Sequence, residues 1–528
     1  MPLRLVFAPR LAALLALLVA APLFAQPAAN VDLEALDAYI EAALEDWPVP
    51  GLAVAIVKDG AVVHAKGYGT RTVGTDAPVD QHTLFAIASN TKAFTAALLA
   101  MLVDEGRLSW DDRVVDHLPY FELYDPYVTE AMRVRDLLSH GSGLGTYSGD
   151  LLWYGTTYTP EEVVRRARHL DPAGPFRGSY GYSNLMVITA GEVIRAVTGQ
   201  PWAEVVRARL LDPLGMDRTV TSTTALPALD NVATPHKPKP DTLLALPWMN
   251  WDTMGAAGSL ISSVDDMARW LQLQLDGGAM DDSAMGDEGV ALFSAEQQNA
   301  MWTPHTPIPL SQGVRAAFPT MHFRAAGLGW FLNDLHGRLV VSHGGGYDGM
   351  FSRVTLVPEA DLGIVVLTNS MTGLASALSS YLLDAYLAPA GAPVRDWSAE
   401  RLPADLADRA RFYARIDSAT VDRGDTPPTL ALAAYSGRYD GDLYGAATVA
   451  FENSGLVLRF DAASDLVADL THLHGDVFRL DWLTEYAWFG SGNAQFVLTP
   501  TNEIQEFRLD VPNDDLWFYE LELIRVDE

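Results

Sequence analysis

The residues with the clearest chemical potential are a serine and a lysine three positions apart, Ser89 and Lys92. An apolar run from Leu84 to Ala88 leads into them, and a helical pattern follows. The sequence predicts that Ser89 caps this helix and that Lys92 lies on the same face one turn later. A lysine whose pKa is lowered by burial can take the proton of a serine hydroxyl and make it a nucleophile. The helix N-terminus would also direct N–H groups at an oxyanion beside the serine.

The Ser-x-x-Lys pattern is short, and a capping serine beside a solvated lysine is the alternative interpretation.

A second place with chemical potential is the segment Gly181-Tyr182-Ser183-Asn184. A tyrosine near a lysine can be held as a phenolate and act as general base or acid. The amide of Asn184 could donate to a substrate carbonyl and contact Lys92. The alternative here is a helix cap with a packed tyrosine.

The third place is a histidine followed by three glycines, His343 to Gly346, at the end of a predicted strand. Glycines let a substrate backbone approach the strand edge closely, and one N–H there could be a second oxyanion donor. The alternative is a glycine-rich turn with an incidental histidine. Residues 344–349 also match Gly-x-Gly-x-x-Gly, but the next segment predicts a strand where a dinucleotide site needs a helix.

The helices and strands that must position these residues are distributed unevenly, with strands near both ends of the main domain and helices in its middle. The pattern predicts a helix over 31–46, a hairpin from strands 51–57 and 61–68, several helices in the middle, strands again from 328 to 369, and a helix over 375–388. Strands at both ends with helices between them indicate an α/β fold of the α+β type. An antiparallel sheet is flanked by helices, and a helical subdomain fills the centre.

The last hundred residues have a different pattern. Residues 389–428 are predicted to be a linker that carries one helix. After residue 429, about eight short alternating strands predict a small all-β barrel or sandwich. They are predicted at 436–440, 443–452, 455–460, 467–473, 476–483, 494–500, 504–510 and 517–525. The predicted division is therefore a signal peptide at 1–25, a main domain at 26–388, the linker, and a terminal domain at 429–528.

Composition narrows the functional classes. The chain has 528 residues, a formal net charge of −31 and no cysteine. The charge argues against nucleic acid or an anionic membrane as a partner, and the missing cysteines exclude disulfides and thiolate nucleophiles. Residues 1–25 combine Arg4 and Arg10 with a short apolar core and small residues, which predicts a secretory signal cleaved after Ala25. A secreted or periplasmic protein without a stable membrane anchor is expected, and an uncleaved anchor is the alternative.

Together the three motifs, in this order, resemble those of the serine β-lactamase and penicillin-binding-protein superfamily. They read SNTK, YSN and HGG, and the resemblance is to the class C-like serine hydrolase branch that includes esterases and D-aminopeptidases. Further similar stretches, VRDLLSHGSGL and GMFSRVTLVPEADLGIVVLTN among them, extend it over roughly residues 33–388. The terminal strands resemble the lipocalin-like barrel that some members carry.

The resemblance implies a role for each motif residue. Ser89 would be the acylated nucleophile, and Lys92 or Tyr182 its base, with Tyr182 also moving protons to the leaving group and from the deacylating water. Asn184 would bind substrate and order the lysine. The N–H groups of Ser89 and Gly346 would form the oxyanion hole, beside the strand residues His343, Gly344 and Gly345.

The expected function is hydrolysis of an ester or of a peptide or amide, including D-amino-acid peptides, through an acyl-enzyme. His343 stands where the superfamily often has a lysine that binds a substrate carboxylate, which makes the alternative of a β-lactamase or penicillin-binding carboxypeptidase less favoured. A non-catalytic peptide or cell-wall binding protein is the alternative from another class. The 18 acidic and 5 basic residues of 431–528 suggest substrates with a free amine.

The sequence implies neither a metal nor an organic cofactor, and the expected partner is a small-molecule or peptide substrate. His472 and His474 share one face of a predicted strand, but no third ligand is indicated near them. The oligomeric state is left open.

Overall fold

The computed structural model describes residues 31–279, 291–388, 393–421, 424 and 426–526, so the predicted signal peptide lies outside the described residues. Its α-helices are α1 Leu33–Asp46, α2 Thr91–Asp104, α3 Val114–His117, α4 Pro126–Ala131, α5 Pro160–Arg166, α6 Asn184–Thr198, α7 Trp202–Val206, α8 Asp212–Leu214, α9 Gly255–Gly258, α10 Val264–Leu275, α11 Ala295–Met301, α12 Gln312–Ala317, α13 Leu374–Leu387 and α14 Trp397–Ala419. No helix in this part of the chain is both long and apolar enough to cross a membrane.

The main domain is built on an antiparallel sheet that both ends of the domain supply. Its strands, together with two short pairs outside it (β3 with β6 and β4 with β5), are β1 Gly51–Lys58, β2 Ala61–Gly69, β3 Phe85–Ala86, β4 His236–Pro238, β5 Leu243–Ala245, β6 Ile261–Ser262, β7 Thr306–Pro307, β8 Arg324–Ala326, β9 Phe331–Leu335, β10 Arg338–Tyr347, β11 Met350–Val357 and β12 Leu362–Thr368. The eight-stranded sheet has the order β2-β1-β12-β11-β10-β9-β8-β7, so the first strand pairs with the last. This confirms the predicted sheet flanked by helices.

The central strands separate two apolar cores. Along β1, Ala53, Ala55 and Val57 face the larger core, which contains α2, α6 and α10. Leu52, Val54 and Ile56 alternate with them and face a second core, which contains α1 and α13. Side chains alternate between the faces of a strand, so a strand buried on both sides is apolar throughout. The site-bearing end of α2 lies in the larger core.

The terminal domain is a closed barrel of eight antiparallel strands. They are β13 Gly437–Asp440, β14 Ala447–Glu452, β15 Gly455–Phe460, β16 Ala463–His474, β17 Val477–Trp482, β18 Gly492–Leu498, β19 Ile504–Asp510 and β20 Leu523–Val526. Seven lie close to their predicted positions. The predicted strand 517–525 is wrong in its first half, where Phe518–Leu521 forms a 3₁₀ helix before β20 begins.

One long helix connects the two domains. The helix α14 has 23 residues and begins at a cap formed by Asp396, within the predicted linker. It is tied to the main domain by the Trp47 indole, which donates to Ser398 Oγ at 2.9 Å. At its other end Asn493 of β18 donates to the Ala419 carbonyl at 2.6 Å. The helix therefore contacts both domains, while the exact domain boundaries stay a prediction.

Candidate active site

Ser89 lies in a tight turn between β3 and α2. Residues Ala88–Asn90 form a 3₁₀ helix, and α2 begins only at Thr91. The predicted role of Ser89 as helix cap is wrong, because Asn90 is the capping residue and its side chain bonds to the Ile87 carbonyl instead of to the helix. The Ser89 hydroxyl is therefore free of a capping bond and available for chemistry.

The backbone of this turn is strained and held from outside. Ala88 has φ of 47°, a left-handed conformation that costs a non-glycine residue about 1–3 kcal/mol and persists only where its surroundings impose it. Ser352 of β11 imposes it here, since its hydroxyl donates to the Ile87 carbonyl at 2.8 Å and accepts from Asn90 Nδ2 at 2.8 Å. The sheet thus fixes the position of the serine.

The amine of Lys92 is the immediate neighbour of the serine. Its Nζ lies 3.0 Å from Ser89 Oγ, 2.7 Å from Asn184 Oδ1 and 2.8 Å from the Ala257 carbonyl, and its side chain is fully buried. An amide oxygen and a carbonyl can only accept, so they take two of its N–H groups. The third tetrahedral position faces Ser89, and in the neutral amine that position is a lone pair. The geometry suits removal of the serine proton.

Burial also favours the neutral form of the Lys92 amine, which is the form that can accept a proton. Desolvation lowers the pKa of Lys92 to about 7, while the nearby Asp150 opposes that shift. Asp150 accepts from Asn184 Nδ2 at 2.6 Å, which completes a chain from the serine through the lysine and the asparagine to a buried acid. Burial raises the pKa of the Asp150 carboxyl, while the hydrogen bond from Asn184 and the charge of Lys92 oppose that shift and favour its ionised form. Sequence reasoning missed Asp150, although a lone acid in the apolar segment 147–154 was a visible signal.

Replacing Asp150 with asparagine should move the pH dependence of the reaction. Acylation needs neutral Lys92, so kcat/KM should rise with pH through the pKa of Lys92, near 7. Lys92 and Asp150 titrate as a coupled pair in which the ionised carboxylate holds a proton on the lysine, so Asp150→Asn should lower the pKa of Lys92 and shift the acidic midpoint of kcat/KM downward. Measuring kcat/KM from pH 5 to 9 checks this.

Asp348 provides the matched control for that measurement. It is also a buried carboxyl, bonded to the Tyr154 hydroxyl at 2.6 Å and to the Trp251 indole at 2.9 Å, and it has no contact with Lys92. Asp348→Asn should leave the acidic midpoint where it is. A midpoint that moves upward in Asp150→Asn, or stays fixed, would contradict the assigned coupling.

Tyr182 lies beside the serine and the lysine, as the sequence predicted. Its side chain lines the same cavity as Ser89 and is close enough for Ser89 to lower its pKa, and Lys92 Nζ lies 5.0 Å from the centre of its ring. The predicted phenolate is not supported, because burial and the neighbouring Tyr147 and Asp150 raise the pKa of Tyr182 well above its usual value of 10. The tyrosine is therefore a neutral phenol.

His343 lies on β10 and is neutral. Burial and the charge of Lys92 lower its pKa to about 3. Its Nδ1 lies 2.6 Å from the Gly344 carbonyl, so Nδ1 carries the hydrogen and Nε2 is left without a partner in the described part of the chain. The ring packs against Phe331, with ring centres 4.9 Å apart. His343 therefore supplies no positive charge for a substrate carboxylate.

The three glycines after His343 differ in the space that a Cβ atom would find at each position. A Cβ on Gly345 would lie 2.1 Å from the Ile87 carbonyl oxygen, in the turn that carries the nucleophile, and a Cβ on Gly346 would lie 3.0 Å from both Phe351 and Trp488. A Cβ on Gly344 would meet nothing closer than 3.5 Å. Close approach of protein backbone explains Gly345, which the prediction had attributed to substrate.

This difference gives a matched pair of variants. Gly345→Ala should lower the free energy of unfolding by about 1–3 kcal/mol and reduce kcat, because the added methyl group must displace the turn before Ser89. Gly344→Ala should change both quantities little. Chemical denaturation and steady-state kinetics on the two variants test the difference. Equal effects in the two variants would show that the contact with Ile87 does not position the serine.

A cavity of about 500 Å³ opens over these residues. Ser89, Tyr182, Asn184 and the strand residues 343–346 all line it, so the structure brings the predicted site residues together; Lys92 lies beneath Ser89. The terminal barrel contributes part of the wall, namely Trp488, Asp515 and Leu516. Trp251 also lines the cavity.

A family model for Beta-lactamase matches residues 36–388. This chain belongs to the Beta-lactamase family. A second model, described as Domain of unknown function (DUF3471), matches residues 422–523 of this family member and covers the barrel.

Relatives of this Beta-lactamase family member include a fungal enzyme of similar extent. The Unguisins hydrolase ungD of Aspergillus violaceofuscus is 30% identical over 465 residues, which cover 83% of this chain and 80% of the relative. Protein flp of Staphylococcus aureus is 28% identical over 352 residues, which cover 64% of each chain.

Solved structures show the same fold. The octameric penicillin-binding protein homologue from Pyrococcus abyssi has a TM-score of 0.59 at 24% identity, and covers 94% of this chain and 100% of its own. The D-amino acid amidase from Ochrobactrum anthropi SV3 has a TM-score of 0.52 at 22% identity, and covers 71% and 99%. A D-stereospecific amidohydrolase from Streptomyces sp. has a TM-score of 0.50 at 26% identity, and covers 64% and 94%.

The barrel of this Beta-lactamase family member is fastened to the active-site domain at two loops. Glu520 accepts from Ser148 Oγ at 2.6 Å and from Gly149 N at 2.8 Å, directly before Asp150. Lys237, which is buried, donates to Glu485 at 2.8 Å and to the Phe489 carbonyl at 3.2 Å, on either side of Trp488. These contacts join residues far apart in the chain, and no local pattern in the sequence indicated them.

Proposed function

We propose that this protein is a serine hydrolase that forms an acyl-enzyme on Ser89 and cleaves an ester or a peptide or amide bond. Membership of the Beta-lactamase family supports the reaction class. The observation that carries the assignment is the placement of Lys92 Nζ, 3.0 Å from Ser89 Oγ, with its other two bonds to groups that can only accept.

The proposed reaction follows from that placement. Neutral Lys92 takes the proton of Ser89 as Oγ attacks the substrate carbonyl, and the N–H groups of Ser89 and Gly346 bind the oxyanion. Tyr182, a neutral phenol in contact with Ser89, donates its proton to the leaving group and is reprotonated from Lys92. Water then attacks the acyl-enzyme by the reverse route and regenerates the serine.

Two names among the relatives and neighbours support an amide substrate. A hydrolase of unguisins and a D-amino acid amidase are similar to this chain over most of the main domain.

Hydrolysis of β-lactams is the second candidate. His343 supplies no charge for a substrate carboxylate, but Arg324 and Arg353 line the same cavity and can bind one, so penicillins belong in the substrate panel.

Active-site labelling tests the proposal. A fluorophosphonate probe should add its phosphonyl group to the wild-type protein with loss of fluoride, and the mass of intact protein reports the adduct. Ser89→Ala should give no adduct and no turnover. Ser376→Ala, which removes another hydroxyl lining the cavity, should still be labelled. A wild-type protein that gives neither adduct nor hydrolysis with esters, D- or L-aminoacyl amides and β-lactams would exclude the proposed function.

Export is part of the same proposal. The pattern of residues 1–25 supports a cleaved leader and a secreted or periplasmic enzyme. Expression of the full chain in a bacterial host should yield mature protein outside the cytoplasm that begins at Gln26. Retention of Met1 in the active protein would exclude this part of the proposal.

A further inference from the structure

The catalytic cavity carries charges of opposite sign that form no ion pair within the part of the chain that the structure describes. We call Arg324 and Arg353 the arginine wall, and Asp515 the barrel carboxylate; all three line the same cavity as Ser89. Buried or half-buried charges of this kind are normally paired, because removing them from water is costly. Unpaired charges in a substrate cavity therefore indicate the charges of the ligand.

The arginine wall comes from the sheet beside His343. Arg353 Nη2 donates to Ser342 Oγ at 2.9 Å, and its other nitrogens reach the cavity next to Gly344. Arg324 lies over the Phe331 ring, 5.5 Å from its centre. Neither forms an ion pair with an acid of the described chain. Burial and the cations Arg324 and Arg401 lower the pKa of Arg353 to about 10. A guanidinium group that has no acidic partner binds a carboxylate readily.

The barrel carboxylate lies on a fixed loop that follows β19. Asn513 Oδ1 accepts from Asp515 N at 3.0 Å and from Leu516 N at 2.6 Å, which holds the loop in place. The Asp515 side chain has no cation or hydrogen-bond donor among the described residues. Burial and the neighbouring Asp514 raise its pKa to about 6. It is close enough to Asp150 to raise the pKa of that group as well, and it forms no ion pair with Arg324 or Arg353.

We propose that the substrate is a zwitterion, a short unblocked peptide whose ammonium group binds Asp515 and whose carboxylate binds Arg324 and Arg353. The inference rests on the proposed function. In a dipeptide the amino-terminal residue carries the ammonium group and forms the acyl-enzyme, and the carboxyl-terminal residue leaves with the carboxylate. The barrel therefore selects the acyl group and the sheet selects the leaving group.

The covalent step balances with the groups present. The Ser89 Oγ–carbon bond forms and the peptide carbon–nitrogen bond breaks, while the proton of Ser89 reaches the leaving nitrogen through Lys92 and Tyr182. The leaving residue departs as a free amino acid. Water then cleaves the ester, returns the proton to Ser89 and releases the second amino acid. A cavity of about 500 Å³ suits a ligand of two or three residues.

Four matched substrates test the inference on the wild-type protein. They are one dipeptide in free, N-acetylated, C-amidated and doubly blocked form, each made in D and L series, with product release followed by mass spectrometry. The free dipeptide should have the highest kcat/KM, and each block should lower it by about 10- to 100-fold, because it removes one charge-assisted contact.

Two variants assign the contacts to residues. Asp515→Asn should abolish the preference for the free over the acetylated amine and keep the preference for the free carboxylate. Arg324→Gln should do the reverse. Asp514→Asn and Arg315→Gln, both at exposed positions outside the cavity, should keep both preferences. Each preference is a ratio measured within one protein, so a partly folded variant still reports it.

The outcomes separate this inference from the proposed function. Turnover of a doubly blocked substrate at or above the rate of the free one would overturn the inference and leave a serine hydrolase. Preferences that persist unchanged in Asp515→Asn and Arg324→Gln would also overturn it. Absence of any Ser89-dependent turnover would instead reject the proposed function itself.

Discussion

Replacing Lys92 with methionine is expected to lower kcat/KM by about 10³-fold or more, because general base catalysis contributes about 10²–10⁴-fold and no second base is near Ser89. Methionine has a similar length and no charge, so it fits the site while removing the group that accepts the serine proton. Single-turnover labelling with an activated ester measures the acylation step directly, and that step should carry the whole loss.

The loss of activity must be separated from a loss of structure. In the variant, Asn184 Oδ1 and the Ala257 carbonyl each lose a donor, which costs about 1–3 kcal/mol per group. Burial of an apolar side chain in place of an amine offsets part of this. Thermal unfolding should therefore show a modest change. Lys58→Met, at the β1–β2 turn, serves as the control and should retain full activity. A Lys92→Met enzyme with more than a tenth of the wild-type acylation rate would exclude Lys92 as the base.

Replacing Tyr182 with phenylalanine is expected to lower kcat by about 10²-fold, since it removes a single proton donor from the leaving-group path. The ring packs against His140, with ring centres 4.4 Å apart, and this packing survives in the variant. Stability should change little. Activated esters, whose leaving groups need no proton, should be affected much less than amides, so the ratio of ester to amide turnover reports the role of the hydroxyl.

The same variant decides which residue is the base. If Lys92 sets the acidic side of the pH profile, Tyr182→Phe should keep its midpoint near pH 7. If a Tyr182 phenolate were the base, that side of the profile would disappear with the hydroxyl. If the acidic midpoint disappeared in Tyr182→Phe and remained in Lys92→Met, the base would be Tyr182 and not Lys92.

The sequence predicted the parts of the site that obey local rules. Ser89, Lys92, Tyr182 and Asn184 follow short patterns tied to helix starts, and the helices and strands around them follow periodicities of 3.6 and two residues. The cap at Ser89 was predicted wrongly, because helix ends shift by one or two residues and a 3₁₀ turn precedes α2.

What the sequence could not show depends on contacts across long separations. Asp515 and Trp488 reach the cavity from the barrel, and Glu520 and Lys237 are among the residues that fasten the barrel loops to the main domain. Such pairs are separated by more than 200 residues and leave no periodicity to read. Arg324 and Arg353 were missed for a related reason: each is ordinary on its own strand, and only the pairing of the sheet makes them neighbours of His343.

The barrel loops also determine when the enzyme becomes competent during synthesis. Ribosomes make proteins from the amino terminus, and domains fold as units in that order. The segment from Asp515 to Glu520 follows the whole main domain in the chain, so it emerges after that domain. Before then the cavity lacks one wall, and the loop before Asp150 lacks its bonds to Glu520. A chain cut before the barrel would therefore hold Ser89 and Lys92 without the wall that Asp515 supplies.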